Sequence, residues 1–169
     1  MKSIVLVGLM GAGKTAVGKI LSDKLGYEFL DTDNIIEQEE NCKISDIFSS
    51  KGEQYFRELE NKLVLRLQNE ENKIISTGGG LFQNKENITN LAKNGYIIYL
   101  QASPEILYSR IKEDFSRPLL QNTDPLSKLS NLLKKRENNY KLANLTINTE
   151  NKTINEISDE IIKEYYANS

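Results

Sequence analysis

Eight consecutive residues, Gly8-Leu9-Met10-Gly11-Ala12-Gly13-Lys14-Thr15, carry the plainest chemistry in the chain. They follow the pattern G-x-x-x-x-G-K-[ST], which binds nucleotide phosphates when it links a strand to a helix. A glycine-rich turn in that setting aims backbone N–H groups and a helix N-terminus at one point, where an anion belongs. Lys14 adds a point charge for the β- and γ-phosphates, and the Thr15 hydroxyl offers a ligand to magnesium. The flanks suit the motif. Ile4-Val5-Leu6-Val7 ahead of it reads as a buried parallel strand, and Val17, Ile20, Leu21 and Leu25 behind it recur at helical spacing, with Gly26 placed to end that helix.

A second group of residues could serve an acceptor. In Phe29-Leu30-Asp31-Thr32-Asp33 two carboxylates alternate just after a short strand, so each could face a different partner, one magnesium and the other a hydroxyl. Asp33 could equally cap a helix beginning at Asn34. Thr77-Gly78-Gly79-Gly80 removes side chains where the chain leaves a strand, which lets a ligand reach backbone N–H groups or simply makes a flexible loop. Arg57 lies three residues before Glu60. The pair reads either as a surface ion pair or as an arginine held ready for a substrate carboxylate, whose shape its planar fork matches. Arg117 and Arg136 carry the same two readings.

The elements that must position these groups alternate in type. Strands are expected at 3–7, 28–30, 74–76, 96–100 and 145–147. A helix is expected from about 52 to 69, with Phe56, Leu59, Leu63 and Leu67 on one face. Ser103-Pro104 and Asp124-Pro125 read as caps followed by first helical positions. Thr153 caps a last helix that carries Ile154, Ile157, Ile161 and Tyr165 on its buried face. Strands alternating with helices predict an α/β fold, a three-layer doubly wound sheet that is mostly parallel. Segments 33–52 and 112–124 do not fit the alternation and are expected over the C-terminal edge of the sheet, where ligands bind in such folds.

At 169 residues the chain reads as one domain. A net charge of −2 gives no basic field for nucleic acid or a membrane surface. One cysteine, Cys42, allows no internal disulfide and fits a reducing cytosol. No apolar run approaches membrane-spanning length, and a strand that starts by residue 3 leaves no room for a signal peptide. The expectation is a cytoplasmic monomer that binds neither nucleic acid nor membrane. The chain has no histidine, so proton handling must fall to Asp, Glu, Lys or Tyr.

Taken in order, the P-loop, Phe29-x-Asp31-x-Asp33, Phe56-Arg57-x-x-Glu60, Gly78-Gly79-Gly80, Arg117-Pro118-Leu119-Leu120 and Arg136-x-x-x-Tyr140 resemble the shikimate kinase family, and the resemblance covers essentially the whole chain. It implies a P-loop nucleoside-monophosphate-kinase-like fold with a five-stranded parallel sheet, a substrate-binding region at about 33–60 and a lid at about 111–124. It implies ATP- and magnesium-dependent phosphorylation of the shikimate 3-hydroxyl, on the route to chorismate and the aromatic amino acids. By the same resemblance Gly11, Ala12, Gly13, Lys14, Thr15 and Ala16 hold the ATP phosphates, and Arg110 lies over the adenine. Thr15, and Asp31 through water, hold magnesium. Asp33 contacts the shikimate hydroxyls and orients or deprotonates the attacking one. Arg57 and Arg136 clamp the carboxylate, while Gly78, Gly79 and Gly80 line the ring. Lys14, Asp33 and Arg117 are then the catalytic residues, with Arg117 reaching the transferring phosphoryl group from the lid. The segment 149–153 departs from the family pattern in lacking a nearby proline.

Two other functions share parts of this pattern. A kinase of the same fold acting on gluconate or a nucleoside monophosphate would share the P-loop, and gluconate, also a carboxylated polyol, is not excluded by carboxylate-binding arginines alone. A GTP-dependent switch would need Asn-Lys-x-Asp, and every Asn-Lys here lacks that aspartate.

Overall fold

The computed structural model describes residues 1–112 and 124–168. Arg117, and all of the expected lid except its ends, therefore lie outside the described residues. Five strands, β1 (Ser3–Val7), β2 (Glu28–Asp31), β3 (Lys73–Ser76), β4 (Gly95–Gln101) and β5 (Leu145–Asn148), form one sheet in the order β2-β3-β1-β4-β5. Every pairing is parallel; Ile4 of β1 lies between Ile74 of β3 and Tyr96 of β4. All five residues of β1 are buried, as the central strand of a covered sheet requires.

Alternation along β1 divides the interior into two cores. Ile4 and Leu6 join one, and Val5 and Val7 join the other. The first core is closed by α1 (Lys14–Leu25), α6 (Pro104–Ile111), α7 (Pro125–Tyr140) and α8 (Ile154–Asn168), through residues such as Val17, Leu107, Leu129 and Ile161. The second is closed by α2 (Thr32–Glu40), α3 (Ile44–Lys51), α4 (Glu53–Leu67) and α5 (Lys85–Ala92), through Ile36, Ile47, Phe56 and Leu91. Buried Tyr140 at the end of α7 also belongs to this second core. The expected three-layer fold is the observed one. The first strand spans the expected residues, and the other four run one or two residues beyond them.

The caps follow their residue types. Ser103 and Asp124 accept from Ile106 N and Ser127 N, and Pro104 and Pro125 occupy first helical positions. Thr153 and Glu156 exchange side-chain-to-backbone bonds of 3.2 and 2.7 Å at the start of α8. Two expectations are corrected, and one element is added. Ile154, at the first residue of α8, is 43 % exposed and belongs to neither core, and Ser158 takes the buried place one turn on. The helix after β2 begins at Thr32, and its cap is Asp31, whose carboxylate accepts from Asp33 N and Asn34 N at 3.0 and 3.1 Å. The region 85–92 forms a helix capped by Asn84, an element that the apolar spacing does not single out.

Candidate active site

The ends of β1, β2 and β3 bring the two groups of residues to one edge of the sheet. After β1, Gly13 stands at φ 94° as the residue before α1, a backbone conformation that a side chain would strain. It lets the loop turn tightly enough to aim the first turn of α1 back over the strand. The N–H groups of Gly13, Thr15 and Ala16 donate to no acceptor among the described residues, whereas Ala12 N–H closes the turn onto Leu9 O at 3.1 Å. Lys14 Nζ donates to Gly8 O at 2.7 Å and Leu9 O at 3.1 Å, and so lies folded over the loop it belongs to. Thr15 Oγ1 lies 3.3 Å from Asp31 Oδ2, and these are the two side chains expected at the metal. Arg110 ties the loop to the end of β5, donating to Gly11 O, Thr149 Oγ1 and Thr149 O at 3.2, 3.1 and 3.2 Å. It thus joins the phosphate loop to the 149–153 segment.

The acceptor half is assembled around the glycines after β3. Three elements press on them so closely that an added methyl group would force a neighbouring side chain to shift. A Cβ on Gly78 would stand 2.5 Å from Asp33 Oδ1 and 3.2 Å from Glu60 Oε2. On Gly79 it would stand 3.1 Å from an Arg136 guanidinium nitrogen, and on Gly80 2.5 Å from both terminal nitrogens of Arg57. The flexible-loop reading of the three glycines is therefore replaced by close approach. Each glycine is the floor beneath a charged group. The loop is also tied down: Gly78 N–H donates to Thr32 Oγ1 at 3.0 Å, and the Tyr140 hydroxyl donates to Gly79 O. No described residue accepts from the N–H groups of Gly79 and Gly80.

The charges here are costly to keep, which is a mark of a working site. Asp33 Oδ1, Glu60 Oε2 and Arg136 Nε are buried without a hydrogen-bond partner among the described residues. Burial, and then the neighbouring Asp31, push the Asp33 carboxyl up to about 6, against the pull of Lys14. Burial pushes Glu60 up to about 7 even though Arg57 opposes it through charge and a 2.6 Å bond. With only 1 % of its side chain exposed, Glu60 makes the surface-pair reading of Arg57 untenable. Arg57 is itself 26 % exposed and also reaches Glu53 at 3.2 Å.

Of the residues expected from the sequence, Lys14, Thr15 and Asp31 thus meet on one side, and Asp33, Arg57, Arg136 and the three glycines on the other. Two residues quoted within the sequence motifs have roles that the sequence does not assign. Tyr140 carries a hydroxyl bond to the glycine loop, and Thr32 accepts from the same loop between the two aspartates. Their only sequence signal is position: Tyr140 follows Arg136 by one helical turn, and Thr32 separates Asp31 from Asp33.

A P-loop on the central strand of a parallel sheet, facing a buried carboxylate and two arginines, defines a small-molecule phosphotransferase. Its fold is shared by a deoxyadenosine kinase from M. mycoides, at a TM-score of 0.65 and 20 % identity. The family is narrower. The model of the family described as "Shikimate kinase" matches residues 10–166. A shikimate kinase of Sulfurihydrogenibium sp. is 47 % identical over 162 residues, which cover 96 % of each chain. The solved structure of a shikimate kinase from Acinetobacter baumannii in complex with shikimate superposes with a TM-score of 0.95 at 36 % identity, covering 100 % of this chain and 95 % of that one. The chain belongs to the shikimate kinase family. A Sinorhizobium meliloti gluconokinase shares the fold alone, at 17 % identity and a TM-score of 0.60.

Proposed function

We infer that the chain transfers the γ-phosphoryl group of ATP to the 3-hydroxyl of shikimate, giving shikimate 3-phosphate and ADP on the route to chorismate. The observation that supports it best is the glycine floor beneath Asp33, Arg136 and Arg57. Two guanidinium forks, a raised carboxyl and free backbone N–H groups suit a small carboxylated polyol. The acceptor oxygen attacks the γ-phosphorus, the bond to the β,γ-bridging oxygen breaks, and the hydroxyl proton leaves to Asp33 or to water held by it. Asp33 is ionised above its raised value of about 6, so near neutral pH it can accept that proton. The first turn of α1 and Lys14 hold the nucleotide phosphates. Lys14 must leave Gly8 O and Leu9 O to do so.

Thr15 and Asp31 present hard oxygen atoms side by side at the mouth of the P-loop, a donor set that suits magnesium, which takes few protein ligands beside phosphates. When bound there, the ion neutralises charge on the β- and γ-phosphates. Among the described residues no helix is long and apolar enough to cross a membrane. The proposed working form is a cytoplasmic monomer, in which 33–60 binds the acceptor, 111–124 closes over it and Arg117 meets the transferring group.

The test is an ADP-release assay with shikimate, gluconate and several nucleoside monophosphates. ADP release is expected to require both magnesium and shikimate, with the other acceptors near background. Comparable turnover on gluconate would remove shikimate as the substrate and leave the fold untouched.

A further inference from the structure

Tyr140 ends α7 one helical turn after Arg136, and the two side chains bracket Gly79. A Cβ on Gly79 would lie 3.1 Å from the Arg136 guanidinium and 3.9 Å from the Tyr140 oxygen. The tyrosine ring is buried and packs on Tyr99 with centroids 5.2 Å apart, which leaves the hydroxyl little freedom. That hydroxyl donates to Gly79 O. A trans peptide is planar, so the Gly79 carbonyl and the Gly80 N–H point in opposite directions. Fixing the carbonyl against α7 therefore turns the Gly80 N–H away from α7, and no described residue accepts from it.

We propose that Tyr140 is a positioning residue for the acceptor site: by holding the Gly79 carbonyl it fixes the direction of the Gly80 amide and keeps the glycine floor beneath Arg57 and Arg136. The inference rests on the reading that shikimate binds there. Burial keeps the phenol a donor, pushing it up to about 12, so the bond persists across the working pH range. A glycine loop pays heavily in entropy for order, and one buried anchor offsets part of that loss before substrate arrives.

Tyr140→Phe keeps the ring and removes only the donor, and Tyr99→Phe is the matched control. The Tyr99 hydroxyl is buried without a partner among the described residues, so its removal deletes a neighbouring phenol oxygen and leaves Gly79 alone. In Tyr140→Phe the KM for shikimate is expected to rise about tenfold, the scale of one hydrogen bond. The kcat and the Kd of a non-hydrolysable ATP analogue are expected to stay within about twofold, because a floor contact holds ground and transition states alike. Tyr99→Phe is expected to match the parent in all three. An unchanged KM for shikimate in Tyr140→Phe overturns the inference, whatever happens to melting temperature. So does equal weakening of shikimate and nucleotide, which would mean general damage. Titration of shikimate in the cold gives the same comparison if the variant melts early. If the parent itself fails to phosphorylate shikimate, the assigned substrate has failed instead, and the two failures are told apart.

Discussion

The two halves of the site are built in opposite ways. The nucleotide half is one stretch of backbone: residues 8–16 supply a turn, a helix N-terminus and two side chains, all within a single strand–helix junction. The acceptor half draws one or two side chains each from α2, α4 and α7 over the bare backbone of the loop after β3, and then buries their charges. Binding phosphate needs N–H groups aimed at one point, and local chain geometry can do that alone. Telling one small polyol from another needs side chains fixed at several angles, and only tertiary packing sets those. Damage to the first half should therefore remove activity and spare the fold, whereas damage to the second should split affinity, rate and stability from one another.

Lys14→Ala carries the largest expected effect. Lys14 donates to two carbonyls of its own loop and belongs to neither core cluster, so its removal is expected to leave the core intact. Turnover is expected to fall by about 10³-fold or more, the scale of losing one preorganised charge at a transferring group. A melting temperature close to the parent's, measured alongside, would confirm that the loss is chemical. Substantial remaining turnover would remove Lys14 from the phosphates.

Asp33→Asn separates rate from stability. The kcat is expected to drop about 10²-fold, as for loss of a general base or orienting group. Stability should move the other way. A carboxyl raised in the folded state to about 6 from its ordinary 3.8 stabilises the fold while protonated, and that contribution is lost as pH rises through about 6. Glu60, raised to about 7, acts in the same sense. The parent should therefore lose stability between about pH 4 and pH 7, and Asp33→Asn should flatten part of that slope and gain about 1–2 kcal/mol at pH 8. Thermal melts across that pH window check the sign. The same ionisation should give kcat/KM an acid limb near pH 6 in the parent.

The split between the halves also governs what can be read from sequence. The P-loop is legible because its chemistry is contiguous, and the strands because buried parallel strands are nearly pure apolar runs. Asp31 and Asp33 are legible as a pair but not in their division of labour. The sequence offers Asp33 as the possible helix cap, and the structure gives the cap to Asp31 instead, which also reaches Thr15. That leaves Asp33 Oδ1 buried and unpartnered. Arg57 is ambiguous in sequence because an i,i+3 ion pair looks the same on a surface as in a wall. Only the burial of Glu60 decides it. Tyr140 is legible only as part of the Arg136-x-x-x-Tyr140 motif, and its role is not, since its partner is a main-chain carbonyl 61 residues away that no side-chain pattern records.

Arg57→Ala tests that wall. Shikimate binding is expected to weaken by about 1.5–3 kcal/mol, roughly ten- to a hundredfold, with binding of a non-hydrolysable ATP analogue unchanged. Because Glu60 is left buried without its partner, stability should also fall by about 1–3 kcal/mol. The double variant Arg57→Ala/Glu60→Gln should recover most of that stability and none of the affinity. Arg57→Lys should restore binding only in part, since a point charge cannot copy the fork. Equal loss for both ligands would mean that Arg57 is structural rather than a ligand.

Glu53→Gln carries the smallest expected effect and reverses its direction. Arg57 is shared between two carboxylates, one buried and one 62 % exposed. Glu60 cannot withdraw, because its burial leaves Arg57 as its only hydrogen-bonding partner among the described residues. Glu53 can, since water will solvate it once it leaves. A substrate carboxylate approaching Arg57 therefore meets a like charge already on the guanidinium and must displace it. The substituted amide would hold the same position at the start of α4 without that charge, losing a few tenths of a kcal/mol of favourable interaction with the helix N-terminus. Shikimate should bind about two- to threefold more tightly in this variant, the scale of one exposed ion pair, with kcat and nucleotide affinity unchanged. The gain should shrink at high salt, where the exposed pair is screened in the parent as well. Weaker binding of shikimate to Glu53→Gln would show that Glu53 holds Arg57 in place for the substrate rather than competing with it, and the two carboxylates would then have the same role.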